Sequence, residues 1–159
     1  MPTLFLEDLT PGQSFSGTTT IQITAEDIQR FAAEFDPQPF HLSNAGATDS
    51  VFGTLAASGW HTAAVTMRLL VDSEFRPSGG VVGAGFDDLQ WPLPVRPGDE
   101  LRVTSEVLEV RRSRSNPLIG IAKVRTVTLN QNDQPVQVSV GNLVIPARDI
   151  PKEPGTQTD

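Results

Sequence analysis

The sequence predicts an α+β fold in which an antiparallel sheet curls around one long central helix, and three observations carry that expectation. Four blocks rich in Val, Ile, Leu and Thr, at residues 81–91, 100–111, 118–130 and 135–146, are separated by Pro-Gly, Ser-Asn-Pro and Gln-Asn-Asp-Gln turn clusters. Connections this short predict an antiparallel meander. Ahead of them, an alanine-rich apolar stretch beginning at Ser58 and ending near Phe75 reads as a helix, and its Trp60, Val65, Met67, Leu69 and Leu70 need a sheet face to bury them. Finally, 159 residues suffice for one substantial core and are too few for two ordinary domains. One domain over 1–150 is expected, followed by a polar tail at 151–159 whose two prolines predict disorder.

Taken in order, the elements begin after a Pro11-Gly12 turn with a strand over Gly17–Ile23, where β-branched residues dominate. Thr24-Ala25-Glu26-Asp27 is a Thr-x-x-acid capping box variant opening a helix with an apolar stripe of Ile28, Phe31, Ala32 and Phe35. Phe31 and Phe35 are expected in the core. Asp36-Pro37 ends that helix, and the small, polar stretch from Leu42 to Ser50 reads as a covering loop. Ser58 is placed to cap the central helix. In the strand after Gly98, Leu101, Val103, Ser105, Val107 and Glu109 share one face, an imperfect alternation.

The chemistry concentrates in Phe35-Asp36-Pro37-Gln38-Pro39-Phe40-His41, which brings a carboxylate and one of only two histidines together on stiff backbone. Each proline fixes its own φ and pushes the residue before it toward extended conformations, predicting a rigid, non-helical elbow. An acid/base pair needs such rigidity, since both groups must reach one water or one substrate proton. The plainer alternative is that Asp36 ends a helix and His41 fills a gap in the fold. Downstream, Ser58-Gly59 stands at a helix start, where unpaired N–H groups and the positive end of the dipole gather, and Gly59 has no side chain to block an approaching acceptor. That is the physical recipe for an oxyanion site.

These segments resemble the MaoC-like, R-specific enoyl-CoA hydratases and dehydratases of the hotdog fold, whose pattern is Asp-x-Asn-Pro-x-His followed by a Phe and a Gly at the start of a long central helix. Asp36, Pro39, His41 and Gly59, the last 23 positions after Asp36, match it. Gln38 stands where many members have Asn, and Ser58 where many have His. Phe5–Gly12 is similar to the family's opening strand and turn, and Leu89–Glu100 to its Pro-Val-x-x-Gly-Asp segment, so the resemblance covers nearly the whole chain. It implies reversible hydration of a trans-2-enoyl-CoA to a 3-hydroxyacyl-CoA, with Asp36 and His41 as the acid/base pair, the Gly59 N–H as oxyanion donor, and Gln38 and Ser58 as substrate-contact positions. It implies an acyl-CoA thioester as partner, a homodimer or higher homo-oligomer, and no metal or redox cofactor. A non-catalytic acyl-thioester-binding module or supporting subunit, and a thioesterase, are the alternatives on the same fold.

Composition narrows the classes further. There is no cysteine and two histidines lack a clustered set of carboxylates, so neither thiolate nor histidine metal sites are expected. The N-terminus has no basic start or long apolar core, and no run of eighteen apolar residues occurs, so a soluble cytoplasmic protein without membrane contact is expected. A net charge of −7 argues against nucleic acid. Arg111, Arg112 and Arg114 form the local exception, either a solvated turn or a contact for the phosphates of coenzyme A. His61, in the first turn of the central helix, is expected to be neutral and to pack or hydrogen-bond to a neighbouring loop, because a charged imidazole there opposes the dipole.

Overall fold

The computed structural model describes residues 2–148, so the tail predicted at 151–159 lies outside the described residues. The chain opens with a 3-10 turn at Leu6–Asp8, not a strand. Asp8 Oδ2 accepts from the Phe5 N–H at 2.9 Å, which holds the backbone curled. Gly12 then turns the chain at φ 89°.

The strand predicted over Gly17–Ile23 is instead two short ones, β1 (Ser14–Ser16) and β2 (Ile21–Gln22), each antiparallel to β4 (Glu100–Arg112). Gly17 breaks the continuity, since its backbone closes on Val103 O so tightly that a Cβ would lie 2.9 Å away. Helix α1 (Ala25–Phe35) starts as predicted: Thr24 Oγ1 accepts from the Asp27 N–H at 3.1 Å, and Asp27 Oδ2 accepts from the Thr24 N–H at 3.4 Å. Ile28 and Ala32 are fully buried, but Phe35 is 69% exposed. It projects past the packed stripe and meets the ring of Phe31 at 5.1 Å. The stretch predicted as a covering loop contains a one-turn helix, α3 (Asn44–Ala47), because Ser43 Oγ caps it by accepting from the Gly46 N–H at 2.9 Å.

Helix α4 (Gly59–Val71) is the central helix, with Ser58 Oγ accepting from the Trp60 N–H. Strands β3 (Val82–Gln90), β5 (Ile119–Leu129) and β6 (Pro135–Pro146), with β4, complete the sheet close to the predicted bounds. The order is β1-β4-β5-β6-β3, with β2 also on β4. Only β4-β5-β6 is a meander. The segment joining β3 to β4 is pinned beside α4, where Val95 O accepts from the Ala57 N–H at 2.9 Å and the Arg96 guanidinium holds the carbonyls of Phe52 and Thr54 at 2.7 Å. That anchoring carries the chain past two strands and places β3 against β6.

On β4, Leu101, Val103, Ser105 and Val107 are buried, and a register shift after Val107 turns Glu109 outward. Leu69 and Leu70 of α4 enter the two apolar clusters, one around Ile28, Leu55, Val95 and Leu101, the other around Phe75, Val107, Val124 and Ile145. Val65 is half-buried, whereas Trp60 is 59% and Met67 44% exposed, so the predicted burial of the helix holds for one stripe only. Thr66 Oγ1 joins helix to sheet, donating to Thr62 O at 2.8 Å and lying 2.6 Å from Thr128 Oγ1. Among the described residues no helix is long and apolar enough to cross a membrane.

Candidate active site

Helix α1 stops at Asp36, whose φ of −151° and ψ of 65° leave the helical region ahead of Pro37. Gln38 is extended for the same reason, at φ −92° and ψ 146°. Pro39, however, starts a one-turn helix, α2 (Pro39–Leu42), so the predicted elbow is extended only as far as Gln38 and His41 rides on a helical turn. Proline at a first helical position is pre-organised for this, having no N–H to leave unpaired.

The turn buries the His41 side chain to 5% exposure and points Nδ1 at Ala56 O, 2.6 Å away. A carbonyl only accepts, so Nδ1 carries a hydrogen and the ring turns Nε2 to its other edge. That Nε2 lies 3.4 Å from Asp36 Oδ2. Gln38 Nε2 donates to the other carboxylate oxygen, Oδ1, at 2.5 Å. Burial alone would raise the Asp36 pKa, but hydrogen bonds from Ser58 and Gln38 and the nearby His41 outweigh it and hold the carboxyl below its ordinary value of 3.8. Asp36 is therefore ionised at neutral pH.

Ser58 is fully buried, its oxygen accepts from the Trp60 N–H at 3.3 Å, and its side chain is among the groups that lower the Asp36 pKa. The N–H of Gly59, the next residue, has no hydrogen-bond acceptor among the described residues. His41 and Gly59 border a common cavity of about 170 Å³, together with Phe52, Thr62, Trp91 and Leu93. Four residues predicted from sequence, Asp36, Gln38, His41 and Ser58, thus meet in one cluster, and Gly59 faces it across this space.

Trp91 was not legible in the sequence as part of the site. Its indole occupies the space a Gly59 side chain would need, with ring atoms 2.7–2.9 Å from an ideal Cβ. Gly59 is thus required for Trp91 to approach, in addition to leaving its own N–H open. Trp91 Nε1 donates to Gln137 Oε1 at 2.9 Å, and its ring meets Trp60 edge to face at 5.3 Å.

The arginine cluster lies elsewhere. Arg111 is ten residues along β4 from Leu101, which packs with Leu55 and Val95 near the pair, so about 33 Å of strand separates the two ends. Arg112 pairs with Glu7 at 2.5 Å, and Arg111 borders an outer groove with Asp87, Glu109 and Lys123. Within one chain these arginines do not line the site. His61 is 8% exposed and stacks on Phe31 at 4.8 Å with 9° between planes. Burial depresses its pKa, consistent with the neutral form expected, but its buried Nδ1 makes no hydrogen bond among the described residues, so the alternative of a bond to a loop from that nitrogen is not realised. Among the described residues no group of three or more His, Asp or Glu is arranged to hold a metal ion.

Comparison with known proteins places this geometry in a family. The sequence profile described as "MaoC like domain" matches residues 7–129. The chain is 34% identical over 140 residues to an uncharacterized protein, YdeM, of Bacillus subtilis (strain 168), covering 88% of this chain and 96% of that protein. It superimposes on the crystal structure of a MaoC-like dehydratase from Rhodospirillum rubrum with a TM-score of 0.87 at 49% identity, covering 92% of this chain and 99% of the other. An (R)-hydratase from A. caviae involved in PHA biosynthesis aligns with a TM-score of 0.66 at 27% identity, covering 89% and 98%. A matched profile over most of the chain, a sheet folded over one central helix, and the Asp36–His41 pair before the helix start of Gly59 agree: this chain belongs to the MaoC-like domain family and has its hotdog fold.

Proposed function

We propose that the protein adds water reversibly to a trans-2-enoyl-CoA, giving a 3-hydroxyacyl-CoA. The carrying observation is the convergence of His41 Nε2 and the ionised Asp36, 3.4 Å apart beside a cavity that Gly59 also borders. With the imidazole neutral, Nε2 and the carboxylate offer two acceptors to a water seated to one side of the pair, and a water donating to both is held with its lone pairs free for attack. As the water oxygen bonds to C3, one of its protons passes into the pair, and the pair delivers a proton to C2. The thioester oxygen, which gains charge as the enolate-like state forms, receives the Gly59 N–H at the positive end of α4. Gln38 and Ser58 act on Asp36, orienting its carboxylate and keeping it ionised, while remaining near enough to meet substrate.

The proposed addition transfers no electrons to or from a redox centre, so it calls for no cofactor beyond the coenzyme A carried on the substrate. The likeness to hydratases from A. caviae and Pseudomonas aeruginosa supports the reaction class. The proposal includes a homodimer joined along β3, the long edge strand, where Val82 is 53% and Phe86 60% exposed. The test is incubation with crotonyl-CoA, following enoyl absorbance and free thiol in parallel. Loss of absorbance without thiol release supports hydration. Thiol release identifies a thioesterase, and binding without either change identifies a carrier module.

A further inference from the structure

A second cavity, of about 330 Å³, lies between α4 and strands β3, β5 and β6. Met67, Leu70, Phe86 and Leu143 give it an apolar wall, but Gln137 and Ser139 also face it. Gln137 is 3% exposed and Ser139 5%. The Trp91 indole N–H can only donate, so it fixes which end of the Gln137 amide is oxygen. Nε2 is then turned away from Trp91, and it has no acceptor among the described residues. The Ser139 hydroxyl likewise makes no side-chain hydrogen bond among them, whereas the neighbouring hydroxyls of Thr66 and Thr126 are paired, with Thr128 and Ser105. Two donors are therefore left over, both on nearly buried side chains that border one cavity.

The two cavities flank one hydrogen bond, Trp91 bordering the candidate active site and its partner Gln137 the second cavity. Gly59, Ala63 and Met67 recur every four residues on one face of α4, so Ala63 and Met67 stand about 6 and 12 Å along the helix from Gly59. An acyl chain whose thioester oxygen rests on the Gly59 N–H, and which passes beside the Trp91 indole toward Ala63 and Met67, reaches the cavity beyond its reacting double bond. A plain alkyl chain there would strip solvent from the Gln137 amide without offering an acceptor. A carboxylate would meet donors but no positive charge, since no charged side chain lines the space.

Building on the hydratase assignment above, we infer that the substrate's acyl group carries an uncharged oxygen, a ketone or hydroxyl, beyond the double bond, and that Gln137 is the residue selecting it. Gln137→Glu provides the isosteric test: the carboxyl retains an oxygen for the Trp91 N–H and replaces the donating amino group by a second oxygen. The substrates are trans-2-octenoyl-CoA and its oxo-substituted counterparts with the ketone moved along the chain. For the wild type, kcat/KM is expected to favour one oxo position over the plain chain by about tenfold, the discrimination of one neutral hydrogen bond. In Gln137→Glu that ratio falls to about one, and in Ser139→Ala, which leaves the Trp91 partner untouched, it falls by a smaller factor. Because each variant is compared with itself, a general loss of activity does not mimic the result. Equal turnover of all chains by the wild type, or a preference that survives in Gln137→Glu, overturns the inference. Calorimetric binding of the saturated thioesters reads the same preference without turnover. Failure to hydrate crotonyl-CoA would therefore count against the reaction, and absence of binding preference against the role of Gln137.

Discussion

Replacing Gly59 by Ala is the most exacting test of how the site is built, because the added methyl points at a side chain and not into open space. An ideal Cβ at Gly59 lies 2.7, 2.8 and 2.9 Å from three ring atoms of Trp91. Carbon atoms settle at about 3.5–4.0 Å, so helix and indole must part by nearly 1 Å. Overpacking of this kind costs about 1–3 kcal/mol. If the indole swings outward to relieve it, the Trp91–Gln137 hydrogen bond goes too, a further loss of about 1 kcal/mol. The expected loss of stability, about 2–4 kcal/mol, is read by urea denaturation. Tryptophan emission reports the same event, since the only two tryptophans, Trp60 and Trp91, both stand at this junction. In a Trp91→Leu background the same substitution should cost much less, with a coupling of about 1 kcal/mol or more. Unchanged stability and emission in Gly59→Ala, or an equal loss in the Trp91→Leu background, would refute the packing account. That background also makes the oxyanion role testable. Gly59→Ala and Gly59→Pro both carry a Cβ, so their difference isolates the N–H, and the proline variant should be slower in kcat by about 10²-fold.

The other expectations follow from the same geometry. Asp36→Asn and His41→Gln should each lower kcat on crotonyl-CoA by about 10²-fold or more with a smaller effect on KM, and steady-state kinetics of both variants checks this. The proposed mechanism requires ionised Asp36, so activity should fall as pH drops through that group's depressed pKa; Gln38→Leu removes a hydrogen bond that depresses it, and the acidic limb of the kcat/KM profile should move to higher pH. His61 has a folded pKa below its ordinary 6.5, so the unfolded chain binds the extra proton and stability should decline as pH falls through and below 6.5. His61→Phe removes that titration and the unpaired Nδ1 while keeping a ring against Phe31, so its Tm should exceed wild type, increasingly so toward acid pH. The proposed β3-edge dimer predicts a dimeric mass for the parent by light scattering and a monomeric one for Phe86→Arg.

Local physics accounts for what was legible from the chain alone. The Thr24–Asp27 capping box, Ser58 as the cap of α4, and the bounds of β3 to β6 depend on residues within a few positions of each other, so pattern and propensity reveal them. Asp36 and His41 were legible together for the same reason, being five residues apart on a backbone stiffened by Pro37 and Pro39. Where local signals competed, packing decided: Pro39 both restrains Gln38 and starts a helix, and Phe35 continues an apolar stripe into solvent. What no local pattern encodes is the meeting of distant segments. The place of β3 beside β6, the Ala56 carbonyl that selects the His41 tautomer, the Trp91 ring over Gly59 and its bond to Gln137 all join residues that only the folded chain brings together. Composition and spacing thus determined which chemical groups the protein possesses and much of its secondary structure. The tertiary structure alone decided which lone pairs and N–H groups face one another, because hydrogen bonding depends on distance and direction that sequence separation does not carry.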